Sequence, residues 1–422
     1  MRIALHSWGT EGDIRPFFAL AAALVARGHA VRLAYACVDA SDLAPLARAA
    51  GVADEPIAAA YYRAHHATIV ARAAENFRRR NPMAQLRVIL EDTLDPVAEA
   101  IAAAAAPLAA WADASVVHVM DHPAVTATTL AGKPYACVAF APMFKTRALP
   151  PIGAPHLGRL GNAALWALAG RMVDGAMMPR VNAVRAALGA PPVTRVSARL
   201  VEEARLVLVA MAPALLARPA DWPATIAVTG ELALPPSAEP VPPALAEFLA
   251  AGPPPVGFTL GSMAALDPPR AAAIATAAIA ACAEVGARCV IQAPPDVALP
   301  TSATALRFER ASHAALFPRL AAVIHHGGAG TTHAVLRAGR PAIVIPHAVD
   351  QFYWAAEVHR QRVAARPLPA GKVTAARLAA RLRAVLADPA IAARAAALGE
   401  ATRDVDGAAR AAAAVEAAFA PA

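Results

Sequence analysis

The strongest constraint in this sequence is a recurring unit: a short β-rich apolar run, a Gly or polar turn, then a stretch with helical spacing. The runs fall at residues 2–5, 31–34, 115–120, 135–140 and 206–211, and again at 256–260, 288–292, 322–325 and 342–346. Continuous apolar runs suit strands buried on both faces, and their alternation with helices suits parallel sheets. The expected fold class is α/β. Eleven prolines between residues 213 and 255 separate the two series. Proline lacks a backbone donor and clashes in helix interiors, so this segment excludes a long helix or a central strand. The expected organisation is a Rossmann-like domain at 1–215, a Pro-rich linker at 216–250, a second Rossmann-like domain at 251–400, and a helix at 401–422 packing back across the linker. Two doubly wound domains of this kind would face a cleft with the carboxyl ends of both strand sets.

Local signals agree with this division. Asp267-Pro268-Pro269 and Asp388-Pro389 have the cap-plus-proline form of helix starts, Thr374 is a third cap, and Gly286 and Gly339 are stops. The chain of 422 residues is 58% apolar and 17% charged, which excludes wholesale disorder. Its apolar stretches at 16–26, 101–112 and 271–283 fall short of the ~20 residues of a membrane helix. Cys37, Cys137, Cys282 and Cys289 are scattered, and no apolar leader precedes His6. A soluble, cytoplasmic, reduced protein is expected.

The net charge of +8 fits either an anionic partner or an arginine-rich solvated surface. Arg78-Arg79-Arg80 is the one tight basic run, without zinc spacing or interleaved aromatics, so nucleic acid is not expected. His65-His66 reads as helix surface with no carboxylate at ligand spacing, and no metal is expected. His6 reads as a satisfied core residue.

The most informative segment is 321–361. A strand at 322–325 runs into His326-Gly327-Gly328-Ala329-Gly330-Thr331-Thr332, and a helix follows. Small residues let backbone N–H groups approach an anion, and the helix N-terminus adds a favourable dipole. Thr331 and Thr332 can cap that helix or donate hydroxyls to phosphate, and His325 or His326 can donate from the strand end. The competing reading is an ordinary tight turn. At the other end of the chain, Gly9-Thr10-Glu11-Gly12-Asp13-Ile14-Arg15-Pro16 follows the first run. It does not meet GxGxxG, and Asp39 lies well past the second run, which argues against a nicotinamide dinucleotide site.

The sequence HHGGAGTT, with Gly339-Arg340-Pro341, Pro346 and Asp350-Gln351 after it, resembles the C-terminal signature of UDP-glycosyltransferase-like enzymes, in particular the bacterial sterol and glycopeptide-antibiotic branch. Residues 257–263 (GFTLGSM) resemble the branch's GFGSM, and residues 9–16 its G-[ST]-x-GD-x-x-P. The similarity extends over essentially the whole chain and implies the GT-B architecture. It further implies that His325, with His326 in reserve, holds a donor diphosphate together with Gly328, Ala329, Gly330, Thr331, Thr332 and Ser262. Asp350 and Gln351 would contact the sugar, although His347-Ala348-Val349 replaces the usual F-x-G before them. Asp13 falls where the branch carries its proposed base, and no metal or other cofactor is implied. The donor would be a nucleotide-diphosphate sugar, UDP-linked in preference to dTDP-linked.

A carboxylate or imidazole must remove a proton from the acceptor hydroxyl in such chemistry. Asp13 is favoured over its alternative reading as a bare helix cap, and Asp121 and His122, after the third strand, are rivals. Residues 160–178 place Leu165, Trp166, Leu168, Met172 and Met177 at helical spacing, a pattern read first as a core-facing helix face. Trp166 and Met172, with Phe140, are the candidates for a hydrophobic acceptor pocket. The expected function is inverting hexosyl transfer to a sterol, lipid, polyketide or peptide hydroxyl, by a monomer or homodimer with peripheral membrane contact as an option. A nucleotide-sugar epimerase or hydrolase, and a non-catalytic partner subunit, remain as alternatives.

Overall fold

Each of the nine apolar runs forms a parallel strand in the computed structural model, which describes all residues except 78–81, 198, 236–239, 295–296, 349 and 421–422. The Arg78-Arg79-Arg80 run, Pro236 and Val349 therefore lie outside the described residues. The strands are β1 (Arg2–Gly9), β2 (Ala30–Cys37), β3 (Glu55–Pro56), β4 (Ala114–His118), β5 (Tyr135–Ala139), β6 (Leu206–Val209), β7 (Ile226–Val228), β8 (Val256–Thr259), β9 (Cys289–Gln292), β10 (Ala305–Phe308), β11 (Ala322–His325) and β12 (Ala342–Val344). They build a seven-stranded sheet ordered β3-β2-β1-β4-β5-β6-β7 and a five-stranded sheet ordered β10-β9-β8-β11-β12.

The strands that sequence periodicity misses, β3, β7 and β10, are all sheet edges of two to four residues and are largely half-buried. An edge strand is not covered on both faces, so it needs no continuous apolar run. β7 lies among the prolines read as linker from residue 216, and it extends the first sheet into that segment; an edge tolerates flanking proline.

The chain forms two compact units: Met1–Ile69, Met83–Leu234 and Asp406–Ala422 in the first, Val70–Pro82 and Pro235–Val405 in the second. In the first, Ile3, Leu5, Leu33, Val116 and Leu208 pack on Phe17, Phe18 and Leu20 of the helix Glu11–Ala26 and on Ala411 and Val415 of the helix Gly407–Phe419. The alternate strand residues Ala4, Ala34, Ala36 and Val117 face Leu90, Ile101 and Leu108 on the other side. In the second unit Val256, Phe258, Ile291 and Ile324 pack on Ile274, Ala278, Leu378 and Leu382.

Asp267, Thr374 and Asp388 accept from the amides of Arg270, Arg377 and Ala390, capping their helices as expected. The alanine-rich C-terminal stretch breaks between Pro389–Arg403 and Gly407–Phe419, where Asp406 caps anew by accepting from the Ala409 amide at 2.9 Å.

Three expectations are corrected. Residues 83–111, helical through Pro82–Thr93, a 3₁₀ turn at Asp95–Val97 and Ala98–Trp111, are long and apolar enough to cross a membrane by length and composition, so not every apolar stretch falls short. Half of an 18-residue window within it is buried, as in a core helix. The helix Gly158–Ala187 turns only part of the predicted apolar face inward: Met177 is buried and Leu165 and Trp166 are half-buried, but Leu168 and Met172 are exposed. His6 is fully buried as expected, yet neither ring nitrogen has a hydrogen-bond partner, and burial pushes it down to about 4.

A Cβ on Gly407 would collide with the backbone of Gly230 and Glu231, whereas one on Gly371 would meet nothing within 4 Å. Gly407→Ala is therefore expected to cost about 1–3 kcal/mol by overpacking where the last helix docks. Gly371→Ala should leave the urea midpoint unchanged. Equal midpoints for the two variants would overturn this account of the docking.

Candidate functional site

In a doubly wound sheet a crevice opens where strand order reverses direction, at the carboxyl ends of the two strands that flank the reversal. These strands are β1 and β4 in the first sheet, β8 and β11 in the second. Most of the residues singled out from sequence lie just after one of these ends.

In the second unit, β8 and β11 are paired with Thr259 opposite His325. β11 leads through His326 and Gly327 to Gly328, the N-cap of the helix Ala329–Arg337. The amide of Gly327 donates to His325 Nδ1 at 3.2 Å. Accepting at Nδ1 leaves the proton on Nε2, and that buried N–H has no partner. Burial pushes His325 down to about 3, so the ring is a neutral donor. His326 is likewise held neutral, by burial and by the neighbouring His325, His347 and His313. Its ring occupies the space a Cβ would need at both Gly261 and Gly328, so the two turns depend on glycine at these positions.

The first-turn amides of Ala329, Gly330 and Thr331 lack intrahelical acceptors, as at any helix start. Thr332 differs from its expected role, because its hydroxyl donates to the Gly328 carbonyl at 2.9 Å and the residue is buried. Ser262 is the N-cap of the short helix Met263–Leu266 and makes no side-chain cap bond. Asp350 is the N-cap of the helix Gln351–Arg360. Gln351 is buried, with its carbonyl oxygen accepting from the amides of His347 at 2.8 Å and Ala348 at 3.3 Å. Its side chain thus shapes the loop before it.

In the first unit, β1 ends at Gly9 and the helix Glu11–Ala26 begins after Thr10. Asp13 folds back so that Oδ2 accepts from the Thr10 amide at 2.8 Å and the Thr10 hydroxyl at 2.9 Å. Gly9 has φ +140°, and a Cβ there would strike this carboxylate. Capping engages Oδ2 alone and leaves Oδ1 open, so the cap and base readings of Asp13 are compatible.

His118, which sequence reasoning missed, ends β4 beside this turn. Its ring stacks on Phe140 at 5.5 Å and meets the edge of Phe17 at 6.4 Å. Burial pushes it down, and the charge of Asp13 acts in the opposite direction. Asp13, His118 and Phe140 are thereby brought together. The signal that could have found His118 is its place as the last residue of a strand at the order reversal.

Asp121 and His122 are placed differently. Asp121 is buried, caps the helix His122–Leu130 by accepting from Ala124, and is pushed up to about 7 by burial. His122 faces Val181 and Arg185 across a cavity of about 40 Å³. Trp166 donates from its indole to the Leu149 carbonyl at 2.8 Å, tying the preceding loop to its helix, and Met172 is exposed. Among the described residues, no group of His, Cys, Asp and Glu could hold a metal ion.

The chain is similar to known proteins along both of its units. Residues 3–130 match the glycosyltransferase family 28 N-terminal domain, and residues 278–407 match the erythromycin biosynthesis protein CIII-like C-terminal domain. The chain is 33% identical to the O-mycaminosyltylonolide 6-deoxyallosyltransferase of Streptomyces fradiae, over 95% of this chain and 93% of that one. Among solved structures, the calicheamicin glycosyltransferase CalG4 is similar at a TM-score of 0.70 and 19% identity, covering 100% and 99% of the two chains. The spinosyn rhamnosyltransferase SpnG complexed with thymidine diphosphate is similar at 0.62 and 19%, covering 99% and 100%.

His325 at about 3 and His333 and His347 at about 4 all lie below the ordinary 6.5 because of burial. Between pH 6.5 and those values the unfolded chain binds protons that the folded second unit refuses. Stability of this unit should therefore fall as pH drops through that window. Hydrogen exchange of β11 and β12 amides at about pH 7.5 and about pH 5.5, corrected for intrinsic rates, checks this. Greater protection at the lower pH would contradict it.

Proposed function

The chain belongs to the glycosyltransferases of antibiotic biosynthesis, and from that membership we propose that it moves a hexose, with inversion, from a nucleotide-diphosphate sugar to a hydroxyl of a hydrophobic natural product. The architecture is GT-B, two Rossmann-like units of parallel sheet. The observation that carries the donor half of the proposal is the unpartnered Nε2–H of His325 beside the open N-terminus of the helix Ala329–Arg337. A buried donor without an acceptor costs about 1–3 kcal/mol. A phosphate oxygen would remove that cost and meet the helix dipole as well.

In this reading Asp13 Oδ1 takes the proton from the acceptor hydroxyl. The oxygen's lone pair forms the new bond at the anomeric carbon, opposite the leaving group. The bond from that carbon to the phosphate oxygen breaks, and its electron pair departs with the nucleoside diphosphate. His325, the amides of Ala329 to Thr331 and the Ser262 hydroxyl stabilise the growing charge with preorganised dipoles. Asp350 and the free amide group of Gln351 orient the sugar. Asp13 is preferred as base because Asp121 is buried in a helix cap and His122 is turned toward the helix Gly158–Ala187.

The thymidine diphosphate in the SpnG complex supports a dTDP-linked donor over the UDP-linked one expected from the resemblance. Phe140 beside His118 supports an apolar acceptor wall near Asp13. Four free, buried cysteines suit a reducing compartment, and we place the reaction in the cytoplasm.

Incubation with UDP- and dTDP-sugars, with and without pooled hydrophobic acceptors, tests the proposal through release of nucleoside diphosphate. Acceptor-dependent release is expected. Release without acceptor would indicate hydrolase or epimerase chemistry, and neither release nor nucleotide binding would overturn the donor assignment. Asp13→Asn should lower kcat by about 10²–10⁴ while leaving donor affinity nearly unchanged. Near-normal turnover would remove Asp13 from its role.

A further inference from the structure

The second unit carries a concentration of charge that the proposed reaction does not use. Between Glu357 and Asp388 the chain has seven basic residues and no acidic one. The fold gathers most of them along one seam. Residues 363–368 run beside β12, with the amides of Ala365 and Leu368 each donating at 3.0 Å, to the carbonyls of Ala342 and Val344. The helices Ala375–Ala387 and Pro389–Arg403 then reach back to this segment. Arg377 Nη1 donates to the Lys372 carbonyl at 2.9 Å, Arg381 Nε to the Arg366 carbonyl at 3.2 Å, and Arg394 Nε to the Arg362 carbonyl at 3.0 Å. Each bond holds a guanidinium against the backbone of another basic residue, so the cations stand in pairs along the seam.

These charges are costly where they stand. Arg366, Lys372 and Arg377 are exposed, and they and Arg381 make no ion pair among the described residues. Arg377 lies in the first turn of its helix, where no acidic residue accompanies it and a cation opposes the macrodipole. Partial burial, and then the charges of Arg366 and Arg377, hold the Arg381 guanidinium below its ordinary range. Arg383, six residues on from Arg377 and so on another helix face, pairs with Glu284 instead. The one carboxylate near the seam in sequence, Asp388, lies 4.0 Å from Arg394.

The surroundings select among anionic partners. No Phe, Tyr or Trp occurs from residue 358 to 400, so the seam offers no platform for stacked bases. Leu386, exposed on the same helix, is nine residues from Arg377 and therefore half a turn off its face, so no apolar edge accompanies the cations into a bilayer. Arg377 and Arg381 are separated by a rise of about 6 Å. Side chains on one face of an extended chain recur every ~6.6 Å, which brings alternate carboxylates into register with the two guanidinium groups.

We propose that this seam is a docking surface for an acidic segment of a partner protein, bound in extended form with alternate carboxylates on Arg377 and Arg381 and flanking ones on Arg366 and Lys372. The surface is independent of the glycosyl-transfer reading, since none of these residues binds donor or removes the acceptor proton there.

Fluorescence anisotropy of a labelled peptide of alternating glutamate and serine, titrated with the full chain at low salt, tests the surface. The peptide should bind, more weakly as salt rises, and its lysine–serine counterpart should not. The double variant Arg377→Gln/Arg381→Gln should weaken the acidic peptide about tenfold while leaving dTDP binding and the melting temperature unchanged. A control of equal charge change on exposed arginines of the first unit, Arg48→Gln/Arg63→Gln, should stay within about twofold of the parent. The same proteins are titrated with vesicles of anionic lipid and with duplex DNA. Absence of peptide binding, equal weakening in the two double variants, or a loss confined to vesicles or DNA would each overturn the proposal. None of these readouts involves sugar transfer.

Discussion

The reversal of strand order beside β1 and again beside β8 governs where chemistry can be located in this protein. Helices following neighbouring strands leave to opposite faces at such a point, and the chain ends between them are uncovered. Backbone amides and short polar side chains are collected there without any need for a long loop. In the first unit this collects Gly9, Asp13, His118 and Phe140, and in the second Gly261, Ser262 and the turn from His325 to Thr331. The same constraint therefore acts twice, on unrelated residues.

Helix starts draw polar side chains into local hydrogen bonds at both places. Asp13 closes its helix with one carboxylate oxygen and keeps the other open. Thr332 and the carbonyl oxygen of Gln351, both expected from sequence to face ligand, are engaged by nearby backbone. A polar side chain at a helix start has amides or carbonyls within reach before any ligand arrives, so local bonds compete with distant ones. His325 escapes this competition only at Nε2, because the Gly327 amide already occupies Nδ1.

The electrostatics of the turn from His325 to Thr331 explain why the +8 charge does not reside there. His325, His326 and His347 are kept neutral by burial, so this turn presents N–H dipoles in place of full charges. The arginines act elsewhere, in partly exposed pairs such as Arg2–Asp113, Arg32–Glu55 and Arg383–Glu284. Such pairs contribute little stability in water. The basic balance is thus largely a property of the surface.

By itself the sequence determined the nine strands that carry apolar runs, the helix caps at Asp267, Thr374 and Asp388, and the two glycine-rich strand-to-helix turns. Strands covered on both faces require unbroken apolar runs, and caps and glycine turns are local chemistry that reads directly from residue type. Tertiary structure alone decided the edge strands β3, β7 and β10, the outward face of Leu168 and Met172, the neighbourhood of Asp13, and the orphaned nitrogens of His6, His122 and His325. Each of these depends on which distant segment lies against a side chain. Spacing along one helix specifies which residues share a face but not whether anything covers it. A histidine in an apolar run carries no sign of whether a partner waits across the fold.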